Sequence, residues 1–192
     1  SSAQISAALP YLYGKRAANS NSDIVNAKLV VMFGENSVET KAGGAGPTYH
    51  LEQALEQGGA KVIVIDPWLS QTSQMVADEW IPILPGSDTA LVIAICYEWI
   101  NAGTYDQEFL DTYCIGFDGD HMPEGAPENA SWKDYVMGTG YDMTPKTPEW
   151  AEKICGVPAD TIRSLAAEIA SVDKVDFNCA QSASKIPAGE QF

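Results

Sequence analysis

Two short, uninterrupted apolar runs, residues 28–34 (KLVVMFG) and 61–65 (KVIVI), constrain this chain more than any other feature. Both are rich in β-branched residues and lack polar alternation, as expected of strands covered on both faces. Between them, residues 48–58 carry a helical pattern that stops at Gly58 and Gly59. A strand, a helix and a second strand in this order imply parallel pairing through a right-handed crossover. The expected fold class is α/β, three-layered, with a mostly parallel sheet flanked by helices.

The remaining pattern extends that frame. Residues 80–84 read as a short third strand, and 85–88 (PGSD) as a turn opening a strongly apolar helix over 89–101. Helices are expected at 2–13, 105–113, 148–155 and 159–171, the last carrying Ile162, Leu165, Ala166 and Ile169 as an apolar stripe. Residues 175–179 are expected to form a final strand. Between 116 and 147, prolines and glycines break every period, so an irregular excursion is expected within one domain spanning 1–192. The chain opens on Ser1 with no Met start, basic n-region or cleavage site, and reads as internal to a longer protein.

Charge narrows the partners. Eleven Lys and Arg against 26 Asp and Glu give a formal net charge of −15, a surface that repels nucleic acid. A phosphate-bearing ligand would have to be held by backbone N–H groups and helix dipoles more than by basic side chains. The four cysteines form no C-x-x-C pair, which argues against a zinc or iron–sulfur site within the chain. His50 and His121 stand without a nucleophile elbow, so hydrolytic chemistry has no support.

In open parallel sheets, ligands bind beyond the carboxyl ends of the strands. Three segments occupy such ends: Gly34, Glu35, Asn36, Ser37, Val38, Glu39 and Thr40 after the first strand; Asp66, Pro67 and Trp68 after the second; Gly86, Ser87 and Asp88 after the third. Gly34 and Gly86 would let backbone approach a ligand closely. A carboxylate after the second strand is where dinucleotide folds bind ribose hydroxyls, and a further carboxylate can accept two bonds from a guanine edge. Either Asp also reads as a turn or helix-capping residue.

Taken together, KLVVMFGENSVET, AKVIVIDP, DEWIPILPGSDTALVIAICYEWI and KTPEWAEKICGVPADTIRSLAAEI resemble, in unbroken order, the central domain of the dimethyl sulfoxide reductase family of molybdopterin oxidoreductases. The likeness is strongest to catalytic subunits of its membrane-anchored members. It implies a Rossmann-like dinucleotide-binding variant that holds part of a bis(molybdopterin guanine dinucleotide) (bis-MGD) cofactor with molybdenum. On that resemblance Gly34, Glu35, Asn36, Ser37, Glu39 and Thr40 line one dinucleotide, Asp66, Pro67 and Trp68 lie beside its nucleoside, and Gly86, Ser87 and Asp88 hold its guanine end. Ser1, in SSAQI, falls at the family's molybdenum-ligating serine. No catalytic residue is expected in the chain itself.

Departures from the family pattern fall on the same segments. Glu35 stands where Asn is frequent, Trp68 where Arg is frequent, and Ala180, Gln181, Ser182, Ala183, Ser184 and Lys185 where the family has a glycine-rich segment ending in Arg, with Lys185 at the Arg position. The resemblance further implies a parent S-oxide or N-oxide reductase with a 4Fe-4S cluster outside this chain. Its partners would be the remaining domains of the catalytic subunit, an iron–sulfur electron-transfer subunit and a membrane anchor, and its setting anaerobic respiration on the periplasmic side of the membrane. Two rivals remain at this point. Gly43, Gly44, Ala45 and Gly46 with Asp66 twenty residues on imitate a nicotinamide-binding fingerprint, although they begin well past the strand end. A non-catalytic interaction module, docking through residues 116–147, is the other.

Overall fold

The computed structural model describes residues 9–11, 13–15, 21–40 and 46–179. Ser1, most of the helix expected over 2–13, Gly43, Gly44 and Ala45, and the tail beyond 179 lie outside them. The chain divides into two compact units, one of residues 1–88 with 172–192 and one of residues 89–171.

The first unit is built on β1 (Leu29–Phe33), β2 (Lys61–Ile65), β3 (Glu79–Ile81) and β4 (Val175–Cys179), ordered β3-β2-β1-β4. Every pair is parallel, with Phe33 opposite both Ile65 and Cys179, and Ile65 opposite Ile81. All five residues of β1 are buried, and in β2 only Lys61 is partly exposed, as the unbroken apolar runs predict. Alternation along the strands sends Val30, Met32, Val62 and Val64 into one cluster. Leu51 and Ala54 of α2 (Gly46–Gly58) complete it, with Ile24 and Ala27 from the 3₁₀ turn Asn21–Asn26 and its end. Each such aliphatic side chain contributes about 1.5–3 kcal/mol by leaving water.

Two short helices sit at the strand tips. One is α1 (Ser37–Thr40) after β1, and the other is α3 (Gln71–Val76) after β2. The sequence shows no period at 71–76 because the helix is too short to display one. It is fixed instead by its cap, the Ser70 hydroxyl accepting from the Ser73 N–H at 3.1 Å. The third strand ends at Ile81, earlier than the expected 84, since residues 82–87 carry prolines and a turn that leave the sheet.

The second unit is helical. It contains α4 (Asp88–Ala102, from Thr89 onward), α5 (Gln107–Tyr113), α6 (Trp132–Met137), α7 (Pro148–Cys155) and α8 (Ala159–Ala170). Side-chain caps fix two of the helix starts, with Asp106 accepting from the Phe109 N–H and Thr147 from the Trp150 N–H. The stripe Ile162, Leu165, Ala166 and Ile169 is buried, and the Trp99 indole N–H donates to the Ala166 carbonyl at 2.8 Å. Within residues 116–147 the chain is more ordered than its composition suggests. Besides α6 it has a 3₁₀ turn (Gly119–His121), and the Trp132 and Lys133 N–H groups donate to the carbonyls of Gly116 and Phe117, both at 2.8 Å. No helix among the described residues is long and apolar enough to cross a membrane.

Candidate functional site

Parallel register fixes where the predicted segments go. Because Phe33, Ile65 and Ile81 are opposite one another, the residues that follow each strand leave from the same carboxyl edge of the sheet. The Gly34 N–H donates to the Ile65 carbonyl at 2.9 Å and the Asp66 N–H to the Ile81 carbonyl at 3.2 Å, so pairing continues into both tips. The strand order places β2 and β3 on one side of β1 and β4 on the other. That reversal is where open α/β sheets leave a crevice.

Gly34 has a φ of +56°, a left-handed conformation that turns the chain sharply off β1 and that other residues adopt at a cost. The following loop is tied at several points. The Glu35 carboxylate accepts from the Ser37 N–H at 2.9 Å, and the Thr48 hydroxyl donates to the Ser37 carbonyl at 3.2 Å. The Asn36 amide donates to the Glu39 carboxylate. Ser37 is buried, whereas Glu39 and Thr40 are exposed, with the Thr40 hydroxyl turned back onto the Asn36 carbonyl. The N–H groups of Glu35 and Asn36 take no partner among the described residues. Two adjacent backbone donors next to a left-handed glycine suit an anionic group.

After β2, Asp66 is almost wholly buried at 4% exposure while Pro67 and Trp68 are exposed. Its carboxylate accepts from the Trp68 N–H at 3.0 Å, and its carbonyl accepts from the Trp80 indole N–H at 3.0 Å. After β3, the Ser87 hydroxyl donates to the Leu84 carbonyl at 2.6 Å around an exposed Gly86 with φ of +77°, and Asp88 opens α4. Burial raises the pKa of Asp66 most, the Trp68 N–H opposes this, and the nearby charge of Asp88 raises it further. Asp88 is itself raised by burial, against the lowering effect of its own backbone N–H. The second and third tips are therefore close enough for their carboxylates to interact.

Sequence reasoning overlooked one residue here. Thr72, fully buried on α3, donates to the Asn36 side-chain oxygen at 2.7 Å and accepts from the Val38 N–H at 3.1 Å. Nothing local marks Thr72, whose partners lie 34 and 36 residues away. A second polar cluster, Asp111, Asp118 and His121, lies in the helical unit and is partly exposed.

A parallel α/β unit with a glycine-led loop and two interacting carboxylates along one sheet edge defines the chain, by class, as an α/β domain of the kind that holds ligands beyond its strand tips. Comparison narrows this, and the chain belongs to the molybdopterin oxidoreductase family, whose profile matches residues 2–182. It is 52% identical over 169 residues to the putative dimethyl sulfoxide reductase chain YnfE of Escherichia coli, covering 88% of this chain and 21% of that protein. Identity to the dimethyl sulfoxide reductase DmsA of Escherichia coli is also 52%, over 89% of this chain and 21% of the relative. The solved structure of acetylene hydratase from Pelobacter acetylenicus matches with a TM-score of 0.63 and 25% identity, over 82% of this chain and 18% of that one. The chain thus spans about a fifth of the length of its relatives. Membership implies a molybdopterin cofactor with molybdenum, and it sets aside the nicotinamide alternative.

Proposed function

We propose that this chain is the part of a molybdenum-dependent S-oxide or N-oxide reductase that cradles one guanine dinucleotide of a bis-MGD cofactor. The observation carrying this is the parallel register that brings the Gly34 loop and the buried Asp66 out at one carboxyl edge of the sheet, with the charge of Asp88 adding to the raised pKa of Asp66. An acidic pair is poorly placed for a phosphate but well placed for hydroxyls and an amidine edge. Asp88 would accept from the guanine N1–H and amine, and Asp66 from the ribose. The backbone donors of Glu35 and Asn36 would meet a phosphate, with Gly34, Ser37, Glu39 and Thr40 shaping the loop around it. Pro67, Trp68, Gly86 and Ser87 would border the nucleoside. When bound, the molybdenum and its pterins supply the redox and oxygen-transfer chemistry. The residues of this chain bind and orient.

The wider setting follows the same reading. Ser1 occupies the position of a molybdenum ligand in SSAQI, and a 4Fe-4S cluster would lie elsewhere in the parent. Iron–sulfur and membrane-anchor subunits would deliver electrons on the periplasmic side in anaerobic respiration. The names of the relatives, two of them dimethyl sulfoxide reductase chains and a third a trimethylamine-N-oxide reductase of Haemophilus influenzae, support this substrate class. The test is calorimetry with guanosine monophosphate on wild type and Asp88→Ala. Weak binding that disappears in the variant supports the assignment, and equal measurable affinity of both proteins removes it.

A further inference from the structure

The loop presenting the Glu35 and Asn36 N–H groups is short, exposed at Glu39 and Thr40, and carries only a four-residue helix, α1. Such a segment does not hold its own shape, because so short a helix gains too few internal hydrogen bonds to offset its ordering. Its geometry must come from outside. Thr72 supplies it through a continuous relay in which the Val38 N–H donates to the Thr72 hydroxyl, that hydroxyl donates to the Asn36 side-chain oxygen, and the Asn36 amide donates to the Glu39 carboxylate. Each donor in such a chain polarises the next, and the buried hydroxyl has both roles filled. The relay ties the tip of β1 to the helix that follows β2.

We propose that Thr72 is the positioning residue of the cradle, and that Asn36 acts through it by shaping the loop rather than by contacting the cofactor with its side chain. This rests on the nucleotide-cradle assignment above. Asp66 and Asp88 would grip the nucleoside from the second and third tips, while Thr72 sets where the first tip places its backbone donors. Valine at 72 keeps the volume but leaves the Val38 N–H without its acceptor and the Asn36 oxygen without its donor.

The experiment compares wild type, Thr72→Val and Thr72→Ser by amide hydrogen exchange at Val38 and by titration with guanosine monophosphate. Thr72→Val should exchange Val38 about tenfold faster and bind about tenfold more weakly, the loss expected when one well-made buried hydrogen bond is removed. Thr72→Ser should restore both to within about threefold, because the hydroxyl returns. Unchanged Val38 exchange in Thr72→Val, or a serine variant as impaired as the valine variant, overturns the proposal. Absence of nucleotide binding by wild type overturns the cradle assignment instead, and the exchange comparison then still decides whether Thr72 sets the loop. Should Thr72→Val not fold, Thr72→Ala removes the same hydroxyl without added branching and must speed Val38 exchange likewise.

Discussion

The charge of Asp88 reaches Asp66 and raises its pKa, although the two residues belong to successive strand tips and are 22 positions apart. Burial is the larger cause of the shift, and the Trp68 N–H partly offsets it. The chain therefore keeps a buried acidic group under the influence of a second, half-buried one, an arrangement that costs stability in the absence of a ligand. Function explains the expense if hydroxyl and amine donors of a nucleoside satisfy the pair.

Asp66→Asn should stabilise the protein in a pH-dependent way. A raised carboxylate pKa means that the folded chain holds its proton to higher pH than the unfolded chain. Stability from this group is thus complete well below the ordinary value of 3.8 and is lost as pH rises through the folded pKa. The variant should match wild type in strong acid and melt at a higher temperature at neutral pH, while keeping the bond from Trp68. Thermal melts across that range check it, and a difference independent of pH would contradict the electrostatic cause.

Among the described residues, Lys146 is the largest fully buried side chain, with 1% exposure. Its ammonium donates to the Asp142 carboxylate and the Thr144 carbonyl and lies 4.3 Å from the centre of the Tyr135 ring. The stem packs while the head is paired, so Lys146→Ala should cost about 2–4 kcal/mol in urea unfolding. Lys146→Met should cost less, because it keeps the stem.

The His121 ring Nδ1–H donates to the Asp118 carboxylate at 2.8 Å, and the same nitrogen lies 3.7 Å from the Asp111 carboxylate. The Asp118 hydrogen bond raises its pKa above 6.5 most, burial opposes this, and the charges of Asp118, Asp111 and Asp120 add to the rise. Its stabilising effect is present below 6.5 and fades as pH climbs through the folded value. In an NMR titration His121 should titrate above the ordinary value, and Asp118→Asn should bring it down. An unshifted His121 would refute the pairing.

Sequence alone revealed the frame. The runs at 29–33 and 61–65 announce buried parallel strands because burial on both faces leaves no room for polar alternation. The tips followed from them, since Gly34, Asp66 and Asp88 lie at or soon after the strand ends. Long-range polar contacts stayed hidden. Thr72 looks like any helix-terminal threonine until folding brings it to Asn36, and Lys146 looks like a surface lysine until Asp142, Tyr135 and Trp150 surround it. Order in residues 116–147 was missed for a related reason. Its backbone bonds, such as Trp132 to Gly116, span distances that no local period records.

The most direct test of the nucleotide cradle is an amide NMR spectrum of the chain titrated with guanosine monophosphate. Shifts concentrated at residues 34–40, 66–68 and 86–88, and reduced in Asp88→Ala, are the predicted result. Perturbations clustered elsewhere, or identical in the two proteins, would contradict it.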